Sequence, residues 1–225
     1  FIITVMQKKF LFLIFLMQLL LPSCVKNEFK VEFNLPPGVN TSYRLFYYAS
    51  DKRTGWYMEN LATIDKGKGT ADCITRMPTL VYVYSLGSVY PSVVFYAERG
   101  DKIKIEGKSD DPLEWEIGGN NINRDLSQWR KENLQLLKGR NPEKINGAVA
   151  DYVRKHTGSE VSTILLLTVF DRRVDEKGYN DLWAMLEGDA TDDDLVRLIG
   201  RSDQPDPSPA EFHPVRAMKL YSPGD

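Results

Sequence analysis

The chain has 225 residues, 42% of them hydrophobic and 27% charged, with a formal net charge of −2. The length allows one or two domains with a core, and the composition is that of an ordinary folded protein. There is no basic surplus, which argues against a nucleic-acid partner, and no block of residues recurs at a fixed period.

The first residue is Phe1. Met6, followed by Gln7, Lys8 and Lys9, reads as the true start, with Phe1–Val5 as upstream read-through. Lys8-Lys9 is then a basic n-region and Phe10–Leu21 an almost unbroken apolar h-region. That run has the length of a signal-peptide core and falls short of the roughly 20 residues of a spanning helix. Residues 1–23 are therefore read as a signal peptide, the competing reading being a short anchor that is never cut. Leu21, Ser23 and Cys24 fit the Leu-x-small-Cys pattern of a bacterial lipobox, with Pro22 less usual in its place. On that resemblance Cys24 becomes the first mature residue and its thiol carries a diacylglycerol. The partner is then a membrane, and the address is the bacterial cell envelope, on the periplasmic side or the outer-membrane surface. The competing reading is an ordinary cysteine.

Residues 24–28 form a tether. Phe29, Val31, Phe33 and Leu35 then alternate with Lys30, Glu32 and Asn34, the pattern of a half-buried strand. Pro36-Pro37-Gly38 ends it. Tyr43–Ser50, Trp56–Ile64, Thr70–Thr75, Leu80–Leu86, Ser92–Glu98, Lys102–Gly107 and Leu113–Ile117 read as further strands with turn residues between them. The pair flanking Arg99-Gly100-Asp101-Lys102 reads as a hairpin. Many short strands at this spacing predict an antiparallel β-sandwich over 29–118.

At Gly118-Gly119-Asn120 the period changes. Ile122, Leu126, Trp129 and Leu137 share a helical face, and Ile145, Val149, Tyr152, Val153 and His156 form a second stripe. Gly158 fits a helix stop and Ser159 the next N-cap. Val161–Phe170 reads as a buried helix, and Tyr179, Leu182, Trp183 and Leu186 as a short one. Thr191 followed by Asp192-Asp193-Asp194 opens a last helix closing at Gly200. The fold class expected is α+β: the sandwich followed by a small α-helical region over 119–200. Pro205, Pro207, Pro209 and Pro214 give 201–225 a linker composition.

Few residues suggest chemistry. With Cys24 lipidated, Cys73 is the only other cysteine, and it reads as a small residue packed in a sheet rather than a redox thiol, since no Cys-x-x-Cys or adjacent His accompanies it. Asp192-Asp193-Asp194 reads as helix-start electrostatics rather than a cation site. Arg99-Gly100-Asp101 matches an adhesion tripeptide but also suits a turn. Asn40-Thr41-Ser42 matches a glycosylation acceptor, discounted in a bacterial chain. His156 and His213 lie in no zinc or triad spacing. No phosphate loop, Gly-x-Ser-x-Gly or His-Glu-x-x-His occurs, so no catalytic residue, metal or cofactor is assigned. Tyr43, Tyr47, Tyr48, Trp56, Tyr57, Tyr82, Tyr84, Tyr90 and Tyr96 could stack on a glycan if one sheet face left them exposed; packing within the sheets is the competing reading.

The run Val94-Phe95-Tyr96-Ala97-Glu98-Arg99-Gly100-Asp101-Lys102-Ile103-Lys104-Ile105-Glu106-Gly107, with Trp115-Glu116-Ile117-Gly118-Gly119-Asn120, Asn123, Leu126 and Trp129, resembles the signature of the domain of unknown function numbered 4369. The resemblance covers roughly Phe29–Leu137. It implies an envelope lipoprotein of a Gram-negative bacterium whose sheet domain and helical segment precede a thioredoxin-like domain of the AhpC/TSA or redoxin type. Tyr221-Ser222-Pro223-Gly224-Asp225 resembles the entry to such a domain, and the chain is read as truncated there, before any Cys-x-x-Cys. The implied function is that of a non-catalytic accessory region of a thiol–disulfide oxidoreductase. The alternative is a stand-alone lipoprotein that binds a glycan or a partner protein through an aromatic sheet face.

Overall fold

The structure is a computed structural model describing residues 27–51 and 54–191, with the backbone alone over 49–51 and 54–57. Residues 1–23, read as a signal peptide, Cys24, the Asp192–Asp194 run, His213 and residues 201–225, read as a linker, lie outside the described residues.

The fold is α+β. Among the described residues eight strands run in chain order: β1 Glu28–Asn34, β2 Thr41–Asp51, β3 Thr54–Ile64, β4 Lys68–Ile74, β5 Thr79–Ser85, β6 Val93–Ala97, β7 Lys102–Glu106 and β8 Glu116–Gly118. They form two four-stranded sheets, ordered β4-β1-β7-β8 and β3-β2-β5-β6. All pairings are antiparallel except β1–β7, which run parallel with Val31 opposite Ile103 and Phe33 opposite Ile105.

The alternating residues of both sheets meet in one core. Phe29, Val31 and Phe33 of β1 and Ile103 and Ile105 of β7 face Tyr43, Leu45 and Tyr47 of β2, Val81 and Val83 of β5 and Phe95 of β6. Aromatic rings register the sheets: Phe29 meets Tyr47 edge-on at 5.4 Å, Phe33 stacks on Tyr43 at 5.8 Å, and Trp115 stands edge-on to Tyr43 at 5.0 Å. Such pairs favour one sliding register over its neighbours.

The segment read as a hairpin is not one. β6 pairs with β5, whereas β7 pairs with β1 and β8, so Glu98–Asp101 carries the chain from one sheet to the other. Alternation cannot distinguish the two arrangements: Phe95 and Ile103 point into the same core whether their strands are neighbours or face each other across it. The expected strand Leu113–Ile117 is also shorter. Pro112–Glu114 is a 3-10 turn capped by Asp111, whose side chain accepts from the Leu113 amide, and β8 begins only at Glu116.

Among the described residues five helices follow: α1 Asn121–Glu132, α2 Leu134–Gly139, α3 Pro142–Lys155, α4 Glu160–Thr168 and α5 Glu176–Trp183. Leu137 thus lies on a separate helix from Leu126 and Trp129. Side-chain oxygens of Asn120, Asn141, Ser159 and Asp175 cap α1, α3, α4 and α5, supplying partners for first-turn amides. α3 stops at Lys155, with His156 rather than Gly158 as its C-cap. A second core joins the helices to the outer face of the β5–β6 sheet: Leu80 and Tyr96 pack with Leu126, Trp129, Val149, Val153, Ile164 and Leu165. The architecture is three-layered, sheet on sheet on helices. Among the described residues no helix is long and apolar enough to cross a membrane.

Candidate functional site

The polar residues of the family-like signature converge where α1 meets the edges of both sheets. Gly119 makes the approach: its φ is +111°, and a Cβ there would lie 2.4 Å from the Lys102 carbonyl oxygen. Asn120 Oδ1 accepts from the Asn123 amide at 2.9 Å, and its Nδ2 donates to Asp101 at 2.8 Å. The same Asp101 oxygen accepts from the Glu98 amide at 3.1 Å, and so pins the inter-sheet turn. Gly100, at φ +92°, donates its amide to the Glu28 carbonyl at 2.9 Å.

Two residues one helical turn apart then act as strand substitutes. Asn123 Oδ1 accepts from the Tyr96 amide at 2.8 Å and its Nδ2 donates to the Tyr96 carbonyl at 2.7 Å. Ser127 Oγ accepts from the Ile117 amide and donates to the Ile117 carbonyl, both at 2.9 Å. Tyr96 lies on the free edge of β6 and Ile117 on the free edge of β8, in different sheets. One helix thereby satisfies an edge residue of each sheet, and unpaired edges otherwise recruit other chains.

Arg130 continues this face. Its Nη2 donates to the Trp115 carbonyl at 3.2 Å and to Ser127 Oγ at 3.0 Å, while Nε and Nη1 are buried without a partner. Burial pushes the guanidinium down to about 10, so it stays charged at neutral pH. Outside Ser127, an open groove of about 280 Å³ is lined by Lys104, Glu106, Glu116, Arg124, Gln128 and Lys131. Lys131 pairs with Glu116 at 3.6 Å, and the mixture of signs gives no field for a ligand of one charge.

Cys73 projects into the inter-sheet core and is fully buried. Burial pushes its thiol up to about 11, the Asn60 amide and Tyr47 hydroxyl opposing in part. Such a thiol is a poor nucleophile, in keeping with packing. His156 is exposed, its ring 4.4 Å from that of Tyr152. Asn40 belongs to a turn, its Oδ1 accepting from the Lys66 amide at 2.9 Å. Among the described residues no group of three or more His, Cys, Asp or Glu could hold a metal ion.

The tyrosines do not gather on an open face. Tyr43 and Tyr47 lie between the sheets, Tyr84 and Tyr96 are buried on the opposite face, and Tyr48 and Tyr82 are half-buried. Arg44 lies over the Tyr84 ring at 5.5 Å. Tyr90 alone of those whose side chains are described is exposed, in the β5–β6 loop. Trp56 and Tyr57 belong to the stretch described by backbone only.

Ser127 and Arg130 escaped the sequence reading. Arg130 carried a signal, a charge next to Trp129 on an apolar stripe; Ser127 carried none, because a lone serine at helical spacing resembles any exposed one. No protein-family model matches the chain, and no curated protein is similar to it.

Proposed function

We propose that this chain is the non-catalytic N-terminal region of a lipid-anchored cell-envelope protein, an accessory to a thioredoxin-like thiol–disulfide oxidoreductase domain. The observation that carries this reading is how the signature residues are employed. Asp101, Gly119, Asn120 and Asn123 are all engaged in closing the sandwich against α1. That is the work of a scaffold, and it leaves redox chemistry to a further domain. The position of the lipobox-like cysteine supports the anchor: two residues lie between Cys24 and Asn27, a reach of about 10 Å. A lipid on Cys24 would hold the sandwich against the bilayer.

Two measurements test the reading. Intact mass of the chain purified from a Gram-negative host is expected to show a polypeptide starting at Cys24 with a diacylglycerol and acyl adduct, lost in Cys24→Ser. An unmodified Cys24 contradicts the anchor. Sequencing the gene past the codon for Asp225 is expected to run into a redoxin-like sequence with a Cys-x-x-Cys, and a nearby stop codon contradicts the accessory role.

A further inference from the structure

The two ends of the sandwich differ. Asn27, where the chain emerges, lies at one pole: its carbonyl accepts from the Thr75 amide at 2.9 Å and its side chain from Arg99 at 3.2 Å. The contact of Phe29 with Tyr47 sets the β2–β3 connection at this same pole. There the pairing of β2 with β5 ends before its pairing with β3 does. Pairing with β5 ends at Tyr47–Val81, while pairing with β3 continues through Tyr48–Tyr57, Ala49–Trp56, Ser50–Gly55 and Asp51–Thr54. The result is a two-stranded ribbon extending about 13 Å beyond the last β2–β5 pair.

A two-stranded ribbon is marginal in water unless something packs on it. This one is rich in residues suited to a bilayer interface, Tyr48, Trp56 and Tyr57, whose rings combine an apolar body with a polar tip. Ile74, the β4 partner of Glu28 at the same pole, is 57% exposed. The chain preceding Asn27 holds the apolar run Phe10–Leu21 and Cys24, so a membrane attachment through either one brings this pole to the lipid.

We infer that the β2–β3 ribbon is a second membrane contact, lying in the phospholipid headgroup layer beside the N-terminal anchor. The contact fixes the orientation of the sandwich and turns the β5–β6 loop, with exposed Leu86, Val89 and Tyr90, away from the bilayer. The inference rests on the chain being membrane-attached, but not on which N-terminal feature attaches it. An attachment at one point leaves the sandwich free to rotate, and a second contact restricts that rotation.

The test uses the full chain in phosphatidylethanolamine–phosphatidylglycerol vesicles with and without acyl-brominated lipid, which quenches only nearby tryptophans. Thr54→Trp and Leu86→Trp place sensors about 30 Å apart along the strands. The expected result is emission lost to brominated lipid for Thr54→Trp and none for the added signal of Leu86→Trp, with Trp56→Phe removing the quenched part of wild-type emission. An unquenched Thr54→Trp on vesicle-bound chain, or quenching of Leu86→Trp alone, overturns the inference. The mass of Cys24 in the same samples keeps the readings apart. A quenched ribbon on a chain with bare Cys24 refutes the lipid anchor and leaves the ribbon contact standing.

Discussion

The inter-sheet core and the seam where α1 meets both sheets are held by different physics. Between the sheets the contacts are almost wholly apolar, built from alternating side chains such as Val31, Ile103, Leu45 and Phe95, all of them fully buried. At the seam, the joints are polar, with Asn123 on Tyr96 and Arg130 on Trp115 buried and Ser127 on Ile117 half-buried. The first core is tolerant of shape-conserving exchange, because area and volume matter most there. The seam depends on donor and acceptor geometry, because Asn123 and Ser127 satisfy edge backbone groups that would otherwise go unpaired. Asn146 repeats the device within the helical layer, bonding both the amide and the carbonyl of Asp171 at 2.7 and 2.9 Å.

The largest effect is expected from opening the apolar core. Phe95→Ala removes a fully buried ring between the sheets and is expected to cost about 3–5 kcal/mol in denaturant unfolding. Asn123→Ala is expected to cost about 2–4 kcal/mol despite deleting far less apolar area, since it strands two backbone groups of Tyr96. Asn123→Leu adds apolar surface to the same position, and a Leu variant as stable as wild type contradicts the polar account of the seam.

Alkali probes the apolar core through Cys73. Its folded thiol titrates near 11 against an ordinary value of 9.0. Above pH 9 the unfolded chain loses this proton while the folded one keeps it, so the contribution is intact below pH 9 and lost as pH rises towards 11. The loss is on the order of 2–3 kcal/mol. Comparing wild type with Cys73→Ala across that range isolates it, and parallel curves refute it.

The smallest change is expected at Arg130. Two of its guanidinium nitrogens are buried without partners, and no carboxylate compensates the charge. An apolar side chain of similar length relieves the desolvation of that charge, which offsets the loss of the bond to the Trp115 carbonyl. Arg130→Met is expected within about 1 kcal/mol of wild type or above it. A loss as large as that of Asn123→Ala contradicts this.

The contrast also explains what could be read from the chain. The inter-sheet core was legible because each strand writes its inward face as a period-2 pattern, as in Phe29, Val31 and Phe33. Strand partners were not: the parallel pairing of β1 with β7 joins segments about 70 residues apart in sequence, and alternation carries no information about the neighbour. The Asp111-Pro112 pair does carry the start signal of the 3-10 turn, and it competes with an alternation that continues through Leu113. At the seam, the change of period at Gly118-Gly119-Asn120 marked where α1 begins, while the reach of Asn123 and Ser127 to strand edges depends on tertiary placement alone. The signature residues were thus identified without their role, which is to close the fold.

Amide hydrogen exchange at Tyr96 and Ile117 tests the central claim most directly, that α1 closes both sheet edges through side chains. These two amides lie on free strand edges and have only Asn123 and Ser127 as partners. The account predicts protection comparable to that of interior strand amides in β1 and β5, with Tyr96 losing it selectively in Asn123→Ala and Ile117 in Ser127→Ala. Exchange at the rate of an open edge in the wild type, or protection of both amides unchanged by either substitution, would contradict it.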